Sequence, residues 1–313
     1  MAVKIVWIGL AIALCGLLLT ELLLRLLGFG CPPLYQADSD IGYLLAPNQR
    51  LRRFGNRIEI NQYSLRTAPI SAQRPSQTLR ILLIGDSIVN GNWWTDQAET
   101  LSAQLEQSLE SPADYQQVEV LNASANSWGP RNELAYLKRF GTFEAQVVVL
   151  VLNTDDLFGT KPTSLQVGRD RSYPDRRPAS ALSEVAERYL RRPAPVPGLK
   201  EIQAEPGDRV GFNLEAVKAI EQLVTANQAQ LILAMTPLKR EVLPSGPRDY
   251  ELAARSRLET LAQTLDLPYL SFLTAFQQAE SPAALYRDHI HLSPQGNQLV
   301  CEQIRAAIQA LDL

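Results

Sequence analysis

The stretch LRILLIGDSIVNG, residues 79–91, carries the pattern that decides the fold. Its first half is a Leu- and Ile-rich run, which is typical of a strand buried on both faces of a parallel sheet. Gly85 then permits a tight turn into a helix, and Ser87 stands at the apex of that turn. Free backbone N–H groups and the helix dipole favour developing negative charge there. The stretch therefore predicts a polar site at a strand end. The alternative is that the serine of the tripeptide Gly85-Asp86-Ser87 only caps a helix.

Further strands and helices alternate after this stretch. Four more apolar runs follow, at residues 118–122, 145–153, 229–235 and 267–272. Segments with helical periodicity lie between and beside them, at about 96–110, 130–140, 213–227, 250–265 and 294–311. This alternation predicts a three-layer α/β/α domain around a five-stranded parallel sheet. Ligands of such sheets bind beyond the carboxyl ends of the strands, so the loops that follow the strands are where we expect the site.

The composition is that of an ordinary globular protein. Of 313 residues, 46% are hydrophobic and 20% are charged, and a formal net charge of −3 gives no general attraction to nucleic acid. The three cysteines, Cys15, Cys31 and Cys301, have no CxxC or metal-ligand spacing. We therefore expect no nucleic-acid partner, no disulfide scaffold and no metal site.

The amino-terminal segment is far more apolar than the rest of the chain. IVWIGLAIALCGLLL, residues 5–19, is uninterrupted apolar sequence, and its extension to Leu27 makes 23 residues, enough to cross a bilayer. Glu21 and Arg25 have the i,i+4 spacing of a helical ion pair. A cleaved signal peptide is the rival interpretation, but no small-x-small cleavage site follows cleanly. We predict a retained transmembrane anchor over residues 1–30.

Two segments separate or interrupt the predicted units. Residues 31–78 hold Pro, Arg, Asn and Gln with short strand-like runs, and we interpret them as a juxtamembrane collar before the domain at 79–313. Residues 157–211 interrupt the alternation of strands and helices with Pro- and Arg-rich sequence around one amphipathic stretch, SALSEVAERYL. The insert is too long for a simple connection, which favours a lid or a substrate-binding subdomain over a linker.

Both histidines of the chain lie in one short stretch, RDHIHLSPQGN, residues 287–297. A serine hydroxyl is a poor nucleophile unless an imidazole takes its proton, and the imidazole needs an orienting carboxylate. In a turn over this stretch, the Asp288 carboxylate can reach Nδ1 of His291 and leave Nε2 to face Ser87. His289 would point elsewhere, as a bystander or a substrate contact. The pattern predicts Ser87 as nucleophile, His291 as base and acid, and Asp288 as its orienter.

At this point the chain resembles the SGNH (GDSL) hydrolase family. Blocks similar to the family's first, second, third and last appear in order as LLIGDSIVNG, VEVLNASANSWG, VVVLVLNTDD and DHIHLSPQGNQLV. The resemblance covers residues 35–155 and 285–311, and its collar part is similar to segments of membrane-anchored bacterial members. It implies a flavodoxin-like fold, hydrolysis or transfer of ester-linked acyl groups without a metal or cofactor, and an extracytoplasmic domain.

The chain departs from the family pattern at two positions of the oxyanion hole. The resemblance implies that the backbone N–H of Ser87 is one donor of this hole. The second-block glycine falls on Ser127, which still supplies a backbone N–H. The third-block asparagine falls on Asp155, and an ionised carboxylate only accepts hydrogen bonds and would repel an oxyanion. Either Asp155 is protonated, or Asn153, two residues away on the same strand face, serves instead, or hydrolytic power is reduced.

These patterns favour a membrane-anchored serine esterase or deacylase acting on an acylated glycan or another envelope component. An O-acyltransferase on the same scaffold is an open alternative, because a lid that excludes water can admit an alcohol. A non-catalytic glycan-binding or assembly protein with this fold is the second alternative. The Asp155 departure favours the non-catalytic alternative, and the intact triad opposes it.

Overall fold

The computed structural model describes residues 2–111 and 114–311, so the predicted domain's last two residues lie outside the described part. The strands are β1 (Tyr35–Asp38), β2 (Gly42–Leu45), β3 (Gln49–Arg53), β4 (Asn56–Ile60), β5 (Thr78–Gly85), β6 (Gln117–Ser124), β7 (Val147–Asn153), β8 (Gln230–Thr236) and β9 (Tyr269–Ser271). The α-helices are α1 (Ala2–Leu26), α2 (Ser87–Asn90), α3 (Leu101–Ser108), α4 (Pro130–Phe140), α5 (Ala181–Val185), α6 (Leu199–Gln203), α7 (Arg209–Ala226), α8 (Lys239–Val242), α9 (Asp249–Thr264), α10 (Leu273–Gln277) and α11 (Pro294–Gln309). Every strand and helix predicted for the sheet domain is present, with bounds that differ by a few residues.

Strands β5 to β9 form one parallel sheet in the order β6-β5-β7-β8-β9. This is the flavodoxin-like order, in which the first strand of the sheet has the second on one side and the third on the other. The crevice at the carboxyl ends of β5 and β7 is the ligand-binding position of such sheets. The predicted three-layer α/β/α fold is confirmed, and Ser87 follows β5 at this crevice.

Both faces of the sheet are covered, which explains the continuous apolar runs of its strands. All residues of β5 are buried. Leu82 and Ile84 pack in the same core cluster as residues of α4, α7 and α9, whereas Leu83 packs on the opposite face with α3 and α11. At the end of β5, a Cβ on Gly85 would lie 2.6 Å from the carbonyl oxygen of Val151. Glycine is therefore required where β5 passes β7.

The collar packs against the sheet domain rather than standing apart from it. Its two antiparallel hairpins, β1–β2 and β3–β4, place Tyr43 and Ile60 in the core cluster that lies under α4 and α7. The indole N–H of Trp128 donates to the carbonyl of Tyr43 (2.9 Å), and the amide of Asn132 donates to the carbonyl of Ile41 (2.8 Å). Residue 78 thus marks the start of the sheet, and the collar before it shares a hydrophobic core with the sheet domain.

The insert between β7 and α7 is held by aromatic contacts. The Tyr173 ring lies 5.1 Å from that of Tyr35 and 5.0 Å from that of Tyr43, both in the collar. Its hydroxyl donates to Oγ of Ser127 in the loop after β6 (3.0 Å). The predicted amphipathic stretch forms α5 and a single π turn at Ala186–Leu190. The insert therefore connects the collar to the loop beside the nucleophile.

Helix α1 is long and apolar enough to cross a membrane between Val3 and Leu26, and none of that span is buried. A signal sequence near an amino terminus has the same properties. The predicted pairing is confirmed, because Nε of Arg25 donates to Oε1 of Glu21 (2.7 Å). The Glu21 carboxylate also accepts the backbone N–H groups of Ala181 and Leu182 (2.9 Å each). It thus caps the first turn of α5 from another part of the chain.

A buried ion pair strengthens the connection between α1 and the insert. Arg53 and Glu184 lie 2.6 Å apart, and both side chains are almost completely buried. Glu184 also accepts the backbone N–H of Gly30 (2.6 Å), and the Arg53 guanidinium lies 4.7 Å from the centre of the buried Phe29 ring. We call these contacts, together with those of Glu21, the helix–insert joint. The joint fixes the direction in which α1 leaves the domain.

Removing residues 1–30 is expected to give a soluble protein that keeps its sheet, because the core clusters begin at Tyr35. The same deletion removes Glu21 and Phe29 and so weakens the joint. A lost cap costs about 1 kcal/mol, which corresponds to roughly fivefold faster tryptic cleavage of the Arg-rich insert. A deletion of residues 1–20, which keeps Glu21, is the matched control. An insoluble or unfolded product would show that α1 packs as part of the domain, and equal cleavage of the two proteins would show that the joint does not hold the insert.

Candidate active site

Ser87 is the first residue of α2, at the carboxyl end of β5. Helix α2 is a single turn that Asp86 caps, because Oδ1 of Asp86 accepts the backbone N–H of Ile88 (2.8 Å). Gly91 ends the turn in the left-handed region, with φ at 73°. This confirms the predicted strand-to-helix turn. The short helix holds the Ser87 hydroxyl at the floor of a pocket, where the residue is 7% exposed.

The loop before α11 carries Asp288 and brings His291 to the same pocket. Nε2 of His291 lies 2.9 Å from Oγ of Ser87, and Nδ1 lies 2.7 Å from Oδ2 of Asp288. The other oxygen of Asp288 accepts the backbone N–H groups of Ile290 (3.0 Å) and His291 (2.9 Å). Asp288 therefore fixes the turn and the imidazole at once. The three residues that the sequence assigns to a triad lie hydrogen-bonded in series.

The protonation of this series follows from Asp288. Partial burial alone would raise the pKa of Asp288, but the N–H groups of Ile290 and His291 and the imidazole lower it to about 2. An ionised carboxylate only accepts, so Nδ1 of His291 carries the hydrogen and Nε2 is left to accept the hydroxyl proton of Ser87. The side chain of His289 is 83% exposed, and its Nδ1 lies 3.8 Å from Asp288. The structure brings His291 to the nucleophile and leaves His289 at the solvent.

Ser127 lies in the loop after β6 with a backbone conformation that favours glycine. Its φ is 59°, in the left-handed region. Among the residues that the structure describes, Ser127 N–H donates no hydrogen bond, while its Oγ accepts from Tyr173. Ser127 lines the same pocket as Ser87. A free N–H at this position suits the predicted oxyanion role, and the serine side chain adds a contact to the insert that glycine lacks.

The structure disfavours Asn153, one of the alternatives that the sequence leaves open, as an oxyanion donor. Both hydrogens of its amide are committed, to Oδ2 of Asp86 (3.0 Å) and to Oδ2 of Asp156 (2.8 Å). Asn153 and Asp155 also do not share a strand face, because β7 ends at Asn153 and a 3₁₀ turn begins at Thr154. The cause is local: the Asn153 side chain accepts the backbone N–H of Asp155 (2.8 Å) and so starts the turn. Asp155 remains at the pocket wall.

A group of buried acids lies behind the nucleophile, which sequence reasoning missed. Oδ2 of Asp86 lies 3.2 Å from Oγ of Ser87 and shares the Asn153 amide with Asp156. Burial raises the pKa of Asp86, and burial together with Asp86 and Glu133 raises the pKa of Asp156 well above its usual range. These shifts favour neutral carboxyls, so the Asn153 bridge avoids adjacent negative charges. The only sequence signal was that Asp86 directly precedes Ser87.

The pocket above Ser87 has a volume of about 650 Å³ and a mainly polar wall. The insert supplies part of that wall through Lys161, Gln166, Tyr173 and Gln203. Outside the pocket wall, the Trp94 ring packs edge-on to the His291 imidazole, with the ring centres 4.9 Å apart.

In the described part of the chain, no group of three or more His, Cys, Asp or Glu side chains is placed to hold a metal ion.

The flavodoxin-like sheet and the Ser–His–Asp series at its crevice define the class of the protein, an α/β/α domain with the groups of a serine hydrolase. Residues 83–299 match the family model of the GDSL-like lipase/acylhydrolase family. The chain belongs to this family. The sequence-based assignment to the SGNH (GDSL) hydrolases is thus confirmed, and the family implies a serine hydrolase that acts on esters.

Several solved structures are similar to this chain at low identity. A lipase/acylhydrolase from Enterococcus faecalis is 16% identical, with 74% of this chain and 95% of that chain covered and a TM-score of 0.47. An acetylxylan esterase from Geobacillus stearothermophilus is 16% identical, with 76% and 96% covered and a TM-score of 0.49. A lipolytic G-D-S-L family member from Veillonella parvula is 14% identical, with 74% and 99% covered and a TM-score of 0.46. No curated protein matches the sequence.

Replacing Asp155 by asparagine is expected to raise turnover of an ester at alkaline pH and to change little at acid pH. Partial burial and the carboxylates of Glu241 and Glu251 raise the pKa of Asp155. Below that pKa the neutral acid can donate, and above it the anion opposes an oxyanion. The ratio of kcat/KM between variant and wild type should therefore grow as the pH rises through the raised pKa of Asp155, towards the order of 10² that one donor contributes. A ratio near one at every pH would place Asp155 outside the hole.

Proposed function

We propose that this protein is a serine esterase that removes an ester-linked acyl group from a glycan or glycoconjugate of the cell envelope. The observation that carries the proposal is the hydrogen-bonded series from Asp288 through His291 to Ser87, at the floor of a polar pocket. Catalysis by Ser87, His291 and Asp288 is the function that this geometry supports best.

The first half of the reaction forms an acyl-enzyme. Nε2 of His291 takes the hydroxyl proton of Ser87 as Oγ attacks the carbonyl carbon of the ester. The carbonyl oxygen becomes an oxyanion, which the N–H groups of Ser87 and Ser127 can stabilise. Nε2 then returns its proton to the leaving alcohol oxygen as the ester bond breaks. Asp288 remains ionised throughout and stabilises the imidazolium.

The second half releases the acyl group. Nε2 of His291 takes a proton from water, and the resulting oxygen attacks the acyl-enzyme carbonyl. The bond to Oγ breaks, the proton returns to Ser87, and a carboxylic acid leaves. Water is consumed in this half of the reaction, and no electron transfer takes place.

A glycan is the proposed alcohol part because the large pocket offers many hydrogen-bonding groups. Lys161, Gln166 and Gln203 of the insert face it together with Asn132 from α4. Hydroxyl-rich ligands are recognised by such convergent polar groups. We further propose that α1 is a single-pass anchor and that the domain lies outside the cytoplasm, where envelope glycans are found.

The direct test is labelling of the full chain in detergent with a fluorophosphonate probe. An esterase should be labelled at Ser87, and the Ser87→Ala protein should not be. Hydrolysis of p-nitrophenyl acetate by the same samples tests turnover. A protein that is folded but neither labelled nor active would support the alternative of a non-catalytic glycan-binding or assembly protein.

An O-acyltransferase is the second candidate, and the volume of the pocket favours it. A space of about 650 Å³, walled partly by the insert, has room for an acceptor alcohol beside the acyl-enzyme. In that case an alcohol, and not water, gives its proton to His291 and takes the acyl group. The ratio of transfer product to free acid, measured with a sugar alcohol in the assay, separates the two. Transfer that dominates at millimolar acceptor would favour the acyltransferase.

A further inference from the structure

A second cavity of about 190 Å³ lies between the collar, the insert and the Trp93–Trp94 pair. Its wall contains apolar side chains of the collar hairpins, which are Tyr35, Leu45, Ile58 and Ile60. These four residues are buried in the protein core. All four precede residue 83, so they lie outside the part of the chain that matches the family model.

The second cavity adjoins the nucleophile pocket. Asn92, Asn126 and Ser172 line both spaces. Asn90, which also lines the second cavity, is the last residue of the short helix that begins at Ser87. Among the described residues, Nδ2 of Asn92 has no hydrogen-bond partner. The boundary between the two spaces is therefore close to the reacting serine and carries an unused donor.

The two arginines at the second cavity bond to one shared carboxylate, that of Glu184. Arg53 is paired with Glu184 and donates to the carbonyl of Gly28, and Arg188 donates to the same glutamate. A second anion would compete with a buried carboxylate for these guanidinium groups. Nine of the fifteen residues that line this cavity are apolar or aromatic, which favours an apolar group, whereas the pocket above Ser87 is lined mainly by polar residues.

We propose that the second cavity binds the acyl group of the ester while the larger pocket binds its alcohol part. This assignment rests on the proposed esterase function. An ester carbonyl at Ser87 has its acyl chain on one side and its alcohol on the other, and the two adjoining spaces differ in polarity in the same sense. An apolar cavity of about 150 Å³ can hold benzene, so this one accepts an acyl chain of about six carbons or fewer. The collar therefore sets the acyl preference.

The test measures kcat/KM of the full chain for p-nitrophenyl acetate, butyrate, hexanoate and decanoate. Burial of each methylene is worth about fourfold, so the rate should rise with chain length to hexanoate and fall at least tenfold at decanoate. Ile58→Phe fills the cavity and should lower the hexanoate-to-acetate ratio by roughly tenfold. The control is Leu51→Phe, the same enlargement at the cross-strand neighbour of Ile58, a residue that does not line either cavity. It should leave the ratio unchanged.

A ratio within one protein does not depend on how much of the sample is folded. Ile58→Ala provides a second variant and should move the optimum to a longer chain. A flat profile in the wild type, or equal ratios in Ile58→Phe and the wild type, would overturn the acyl assignment. Labelling rates with ethyl- and hexyl-phosphonofluoridates give the same comparison without turnover. Labelling of Ser87 without chain-length discrimination rejects only the cavity assignment, whereas no labelling by either probe rejects the esterase function and the assignment together.

Discussion

Replacing Ser87 or His291 by alanine is expected to reduce turnover of p-nitrophenyl acetate by 10⁴-fold or more. Ser87 provides the only hydroxyl that lies within hydrogen-bond distance of the imidazole among the described residues, and Nε2 of His291 is the acceptor that removes its proton. The residues of such a triad act as one unit, so the loss of either residue removes nearly all of the rate enhancement that the triad provides. Initial rates of the purified proteins measure the effect, and the double variant should be no slower than either single one.

His289→Ala is the matched control for His291→Ala. The two residues lie in the same loop, but the His289 side chain is exposed, whereas Nε2 of His291 lies 2.9 Å from Oγ of Ser87. We expect the His289 variant to keep most of its activity. Equal losses at the two positions would refute the division of roles between these histidines.

Replacing Asp288 by asparagine should reduce kcat by the order of 10⁴-fold with little change in fold, as in serine proteases with this change. The carbonyl oxygen of asparagine can still accept the N–H groups of Ile290 and His291, so the turn is kept. Its NH₂ group would then face Nδ1 of His291. That nitrogen would have to accept, which moves the ring hydrogen to Nε2 and leaves no base for Ser87.

Asp155→Asn is the matched control for this second prediction. It makes the same chemical change at a residue that lines the pocket beside His291, and the comparison is made at acid pH, where this variant is expected to change turnover little. Thermal unfolding should be similar in both variants, while only the Asp288 variant loses activity. A loss below tenfold for Asp288→Asn would show that His291 keeps its tautomer without the carboxylate.

The strands of the sheet and the turn that holds Asp288 and His291 could be predicted because local sequence determines them. A strand covered on both faces must be apolar along its whole length, so the runs at 79–85 and 145–153 could hardly be anything else. Gly85 permits a tight turn directly after its own strand, and the turn from Asp288 to His291 is closed by hydrogen bonds within four residues. Each feature depends on neighbours in the chain.

The features that could not be predicted depend on contacts between distant segments. The amide of Asn153 is committed to Asp86, 67 positions away, and a strand pattern cannot reveal such a partner. Tyr173 reaches Ser127 from an insert that has no regular periodicity. From its sequence, the collar is interpreted as a separate unit because its strands are short, yet Tyr43 is buried in the core of the sheet domain. Its place in the fold follows only from the tertiary packing.

The helix–insert joint has a consequence for reach. If α1 is embedded in a bilayer, Ser87 lies at a fixed height above the lipid surface. The reason is that hydrogen bonds and a buried ion pair hold α1 against the domain, so that the connection is not flexible. A freely hinged enzyme samples a hemisphere around its attachment point, whereas this one would work within a thin layer parallel to the membrane. Esters in that layer would be within range of Ser87, and chemically identical esters farther from the membrane would not be hydrolysed.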